Sequence, residues 1–108
     1  MVKHLILFRL KEKTPQSSRQ LMDAFVGLPE KIEEIQHLEV GEDFKTTPKS
    51  FDVALFIEFG DREALSAFLV HPEYVPVLDL SHEICSEYAV VDMEIESNSA
   101  VASANSFR

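Results

Sequence analysis

Four side chains suited to chemistry stand at suggestive places in this chain: His4 near its start, His71 and Tyr74 within FLVHPEYVPV (residues 68–77), and the lone Cys85. An imidazole titrates close to neutral pH, so His4 could act as acid or base, and the Tyr74 phenol could donate a hydrogen bond to an enolate-like oxygen. Each also has a plainer role. A strand histidine can be a buried, hydrogen-bonded core residue, and His71, lying before a proline, suits the end of a helix whose last carbonyls it satisfies. Tyr74 could cover a cavity mouth with its ring or bond a ligand oxygen. Cys85 has no activating His or Lys beside it and reads as a small buried hydrophobe. His82-Glu83 lacks the spacing of a zinc helix, and one cysteine builds no thiolate cluster.

The elements that must position these residues follow from periodicity. Val2 to Leu10 sets His4, Ile6, Phe8 and Leu10 on one side against Leu5 and Leu7, with Val2 expected near the latter, a strand wanted on both faces. After Thr14-Pro15, Ser17 or Ser18 can cap a helix carrying Leu21, Met22, Phe25 and Leu28, ended or kinked by Pro29. A short helical turn is expected over residues 30–35, then a weaker strand from His37 to Phe44. Phe51 to Phe59 is the clearest strand, with Leu55 and Ile57 on one face and Ala54 and Phe56 on the other. Asp61 can cap a second helix bearing Ala64, Leu65, Phe68 and Leu69. Pro72 suits the first turn of a further helical piece reaching about Ile84 and kinked near Pro76. A last strand covers residues 86–95, with Ala89, Val91 and Met93 opposite Tyr88, Val90 and Asp92, and residues 96–108 read as a tail.

Strand, helix, strand, strand, helix, strand is the ferredoxin-like βαββαβ order, an α+β fold with both helices on one face of a four-stranded antiparallel sheet. Phe8, Phe25, Leu55, Ile57 and Phe68 would then be core or line a pocket between sheet and helices, beside His4 and Tyr74. The opposite face carries Leu5, Leu7, Ala54 and Phe56 with no helix to cover them. We expect a second copy to do so, in an isologous homodimer.

Totals narrow the partners. With 108 residues the chain is one domain. Its net charge of −9, from 10 basic and 19 acidic residues, repels nucleic acid and anionic membranes. No apolar run approaches a membrane span, and Arg9 with the following KEK leaves no room for a signal peptide, so a cytoplasmic location is expected. Three glycines cannot build a dinucleotide fingerprint, and no cofactor is expected.

KHLILFRLK at the start, FDVALFIEF, FLVHPEYVPV and the YAVVDME strand together resemble the stress-responsive dimeric α/β-barrel (Dabb) family over residues 2–95. His4 and His71-Pro72 are its most specific matches. The resemblance implies a ferredoxin-like dimer and a stress-related role. One branch, typified by plant olivetolic acid cyclase, closes a polyketide by aldol chemistry in a cavity between sheet and helices. There the first-strand histidine lines the cavity and a second histidine is the base, with a tyrosine nearby. His4 matches the first, but the base position holds Tyr74 and the tyrosine position holds Phe68, which argues against that mechanism. Some members are said to bind magnesium, so a hard cation held by backbone carbonyls stays open.

The leading expectation is therefore a homodimer binding a small apolar or amphipathic molecule, contacted by His4, Ile6, Phe8, Phe25, Leu55, Ile57, Phe68, His71 and Tyr74. The rival is a cofactor-independent cyclase, lyase or monooxygenase-like enzyme using His4 and Tyr74. A third reading makes the dimer itself the product, as a structural or protective protein.

Overall fold

The computed structural model describes residues 1–95, so the expected tail over residues 96–108 lies outside the described residues. Strand β1 (Val2–Leu10) shows strict alternation of burial, because every second side chain turns toward the helices. It lies centrally in a four-stranded sheet of order β2-β3-β1-β4, flanked antiparallel by β3 (Val53–Phe59) and β4 (Cys85–Glu94), with β2 (His37–Glu42) beyond β3. This is the ferredoxin-like arrangement expected from the order of elements.

Helix α1 (Pro15–Val26) begins earlier than the serines suggest. Thr14 is its cap, its side-chain oxygen accepting the Ser17 N–H at 3.1 Å, while Pro15 fills a first-turn place where no N–H is needed. Ser18 is thereby drawn inside the helix and buried. Leu21, Met22 and Phe25 turn inward. Gly27 ends the helix, and Pro29 sits in a short 3₁₀ turn, Leu28–Glu30. Residues 31–36 form turns rather than the expected helical piece, yet Ile32 and Ile35 are still buried.

Helix α2 (Arg62–Leu69) starts where expected, with Asp61 Oδ1 accepting the Ala64 N–H at 2.8 Å. Pro72 does not open a helix. Residues 71–74 make a turn in which the Tyr74 N–H reaches the His71 carbonyl at 2.9 Å, and α3 (Val75–Ile84) follows with Pro76 in its first turn. Pro76 thus causes no kink, because the first turn can spare its missing N–H. The remaining differences are at strand ends: β2 stops at Glu42, β3 begins at Val53, and β4 runs from Cys85 to Glu94.

The core lies between sheet and helices, where Phe8, Phe25, Phe59, Phe68, Leu21, Leu55 and Ile57 are all essentially inaccessible. Each such side chain contributes roughly 1.5–3 kcal/mol by leaving water. No helix among the described residues is long and apolar enough to cross a membrane.

Candidate functional site

His4 turns toward the helices because it shares the buried register of β1, paired across to Ile57 on one side and Asp92 on the other. Its Nδ1 is hydrogen-bonded to Asp92 Oδ1. A carboxylate only accepts, so Nδ1 carries a proton, and in the neutral form of the ring Nε2 presents a lone pair. That Nε2 is buried and has no hydrogen-bond partner among the described residues. The ring is 4% exposed, whereas the Asp92 side chain is 44% exposed. The pair therefore joins the interior to the surface.

Phe68 meets the His4 ring edge-on, with centroids 6.2 Å apart, and stacks on Tyr74 at 4.1 Å. Tyr74 continues to Phe25, Phe25 to Phe8 and Phe8 to Tyr88, each within 6.5 Å. His4 and Tyr74 thus belong to one aromatic run in which Phe68 is their shared neighbour. Burial, and secondarily the nearby Tyr88, pushes the Tyr74 phenol up to about 12. At neutral pH it can donate a hydrogen bond but cannot act as a base.

The other candidates have local roles. His71 is half-buried; its backbone N–H reaches the Phe68 carbonyl at 3.0 Å and its Nδ1 accepts the Glu73 N–H at 3.1 Å, so it ties the α2–α3 turn. Burial and the neighbouring Asp52 push the buried Cys85 thiol up to about 11, against the opposing pull of Lys11. A thiol in that state is a poor nucleophile. Ile6, Phe8, Phe25, Leu55, Ile57 and Phe68 are all core residues. Among the described residues no cluster of three or more His, Cys, Asp or Glu side chains could hold a metal ion.

Open space lies at the margins of this core. A cleft of about 320 Å³ between α2 and β4 is lined by Val2, Leu65, Ser66 and Asp92, with Arg62 and Glu94, themselves paired at 2.7 Å, at its rim. Strict alternation puts Val2, expected beside Leu5 and Leu7, on the buried face of β1 with His4 two places on, so the cleft adjoins the dyad. A larger hollow of about 560 Å³ lies on the uncovered face, among Leu7, Gly41, Phe44, Phe51, Ala54 and Phe56. Sequence alone does not single out Asp92. Its signal was a carboxylate placed by alternation among Tyr88 and Val90, but only the β1–β4 register brings it opposite His4.

Comparison with known proteins agrees with this architecture. Residues 2–95 match the model of the stress responsive A/B barrel domain, Dabb, and the chain belongs to that family. It is 26% identical over 97 residues to an uncharacterized protein of Streptomyces coelicolor, covering 87% of this chain and 99% of that one. Among solved structures, a dimeric ferredoxin-like protein of unknown function from Bacteroides fragilis is 30% identical, covering 87% of this chain and 95% of that one, with a TM-score of 0.73. The hydroxynitrile lyase of Passiflora edulis shares the fold at 17% identity, with 90% and 94% coverage and a TM-score of 0.79.

Proposed function

We propose that the protein works as a homodimer whose sheets pack face to face, and that each subunit holds a small apolar or amphipathic molecule between sheet and helices. His4 orients that molecule. The observation that carries this reading is the buried, unpartnered Nε2 of His4, fixed in direction by Asp92. A buried polar atom left without a partner costs about 1–3 kcal/mol, which a ligand atom at that place would relieve. The adjoining cleft has the volume of a small ligand site and mixes apolar Val2 and Leu65 with polar Ser66 and Asp92. Dimerisation rests on the uncovered apolar sheet face and on the dimeric state of the Bacteroides fragilis relative.

The test is a titration of small phenols, alkylbenzenes and aliphatic ketones, followed through the His4 ring and the amides of Val2, Leu65 and Ser66 by nuclear magnetic resonance. Saturating shifts centred on those residues, abolished in His4→Ala, are expected. No response between sheet and helices from any compound would remove the reading.

The enzymatic alternative has one specific support: an imidazole oriented by a carboxylate is how many enzymes hold a general base. In that case the dyad is His4–Asp92, with Tyr74 limited to hydrogen-bond donation. Because the Passiflora edulis relative is a lyase, release of aldehyde from a cyanohydrin is the assay to run first. Turnover lost in His4→Ala would favour this alternative over simple binding.

A further inference from the structure

We infer that the β2–β3 loop is the arm by which one copy of this chain grips a second, the Phe44 ring of each copy seating in the hollow of about 560 Å³ on the other. This rests on the dimer reading above and adds the residue that crosses and the place that receives it. Phe44 is 90% exposed, the most exposed large apolar side chain among the described residues. The loop that carries it is nevertheless braced. The Asp43 N–H donates to the Asp52 carbonyl at 2.8 Å, and Asp43 Oδ2 accepts the Thr46 N–H at 2.7 Å. Thr46 is held in the left-handed region at φ 54°, a costly conformation for a β-branched residue. The Ser50 N–H reaches the Thr47 carbonyl at 3.0 Å, and Arg9 Nη1 donates to the Ser50 carbonyl at 2.9 Å while its guanidinium covers the Phe51 ring at 4.2 Å. All this order leaves Phe44 in water within one chain. Backbone strain maintained at such a place points to a use outside the single fold, and a loop already ordered loses little freedom on association.

The receiving site lies beside the ring, since Phe44 itself borders the hollow together with Leu7, Gly41, Phe51, Ala54 and Phe56. A knob next to a hollow is self-complementary about a two-fold axis passing between them, because each copy then fills the other. Gly41 and Ala54, paired across β2 and β3, have little or no side chain and so leave room for an aromatic ring. Glu39 and Glu42 of β2 border the same hollow as Lys49 of the loop, which makes opposite charges available around it in both copies. Leu7, Ala54 and Phe56 belong also to the apolar sheet face assigned to the dimer, so a second copy that covers this face covers the hollow as well.

Mixed dimers of isotope-labelled and unlabelled full-length chains test this directly. Isotope-filtered nuclear Overhauser spectra are expected to connect the Phe44 ring of one copy with the Leu7 and Ala54 methyl groups of the other. By sedimentation equilibrium, Phe44→Ser should raise the dimer dissociation constant by about tenfold or more while leaving the circular dichroism spectrum unchanged, because the ring is exposed in the single chain. Val70→Ser, at an apolar site 75% exposed at the end of α2, should leave the dissociation constant as in the wild type. A dimer that lacks the cross-chain contacts, or one that Phe44→Ser weakens no more than Val70→Ser does, overturns the inference while leaving the dimer reading in place. A wild type that sediments as a single chain overturns both. The wild-type spectra decide alone should Phe44→Ser fail to fold.

Discussion

His4 and Tyr74 are both buried, but burial acts on them differently. The His4 ring retains an exposed partner in Asp92, whereas Tyr74 is enclosed by Phe68 and Phe25 and its phenol is raised toward 12. A group whose pKa is raised on folding holds its proton longer in the native state, so it contributes stability below its unfolded pKa and loses it as pH climbs. For Cys85 the loss should run from about pH 9 to about 11, and for Tyr74 from 10 to about 12. Urea unfolding between pH 8 and 12 should show wild-type stability falling, with Tyr74→Phe flatter above pH 10 and Cys85→Ala flatter above pH 9. Slopes identical in all three proteins would contradict it. At this scale the sequence named His4 correctly as facing the helices, since alternation with Ile6 and Phe8 is local information. Asp92 escaped because its partnership spans 88 positions and depends on strand register.

Element boundaries were legible where one residue's chemistry determines them. Asp61 announces α2 through a bond to an amide three residues on. Replacing it with Ala should cost about 1 kcal/mol, measured by urea denaturation. Asp52 illustrates the opposite case. It lies just before β3 and is buried, with Oδ2 accepting the Leu10 N–H at 2.8 Å and Oδ1 facing Lys13 Nζ at 3.0 Å, so it fastens the end of β1. Nothing in its neighbours along the chain suggested that contact. Asp52→Ala strands a buried N–H and should cost roughly 1–3 kcal/mol. Asp52→Asn, which keeps an acceptor, should cost less; equal losses would mean that the charge facing Lys13 matters more than the bond to Leu10. Prolines misled for a related reason. Pro72 and Pro76 each permit a helix start, and α3 takes the second, after the turn in which Tyr74 stacks on Phe68.

At the scale of the whole molecule the sheet has one face too many. Register aligns Phe56, Leu5 and Val91 in one row across three strands and Ala54, Leu7 and Ala89 in the next. Charged pairs frame these rows, Lys3–Glu58 at 3.3 Å on one side and Arg9–Glu87 at 2.9 Å on the other. The alanines and Gly41, which pairs with Ala54, keep the strip shallow enough for a second sheet to approach. Phe56 and Val91 nevertheless stay 42% and 48% exposed in the single chain, a state that favours burial against a partner. In the proposed dimer a two-fold axis through the strip would set each apolar row against its counterpart and the charged rows at the rim, the anatomy of an isologous interface. Alternation along β1 and β3 made this face visible in the sequence, whereas its framing by ion pairs needed the register. Light scattering after gel filtration should therefore give twice the chain mass at micromolar concentration. Phe56→Lys or Leu7→Lys places a cation in the middle of the strip and should yield monomers that retain the native circular dichroism spectrum. Val70→Lys alters an apolar residue that is 75% exposed at the end of α2 and should leave the dimer intact. A wild-type mass of one chain, or equal dissociation by all three substitutions, would show that the face has another purpose.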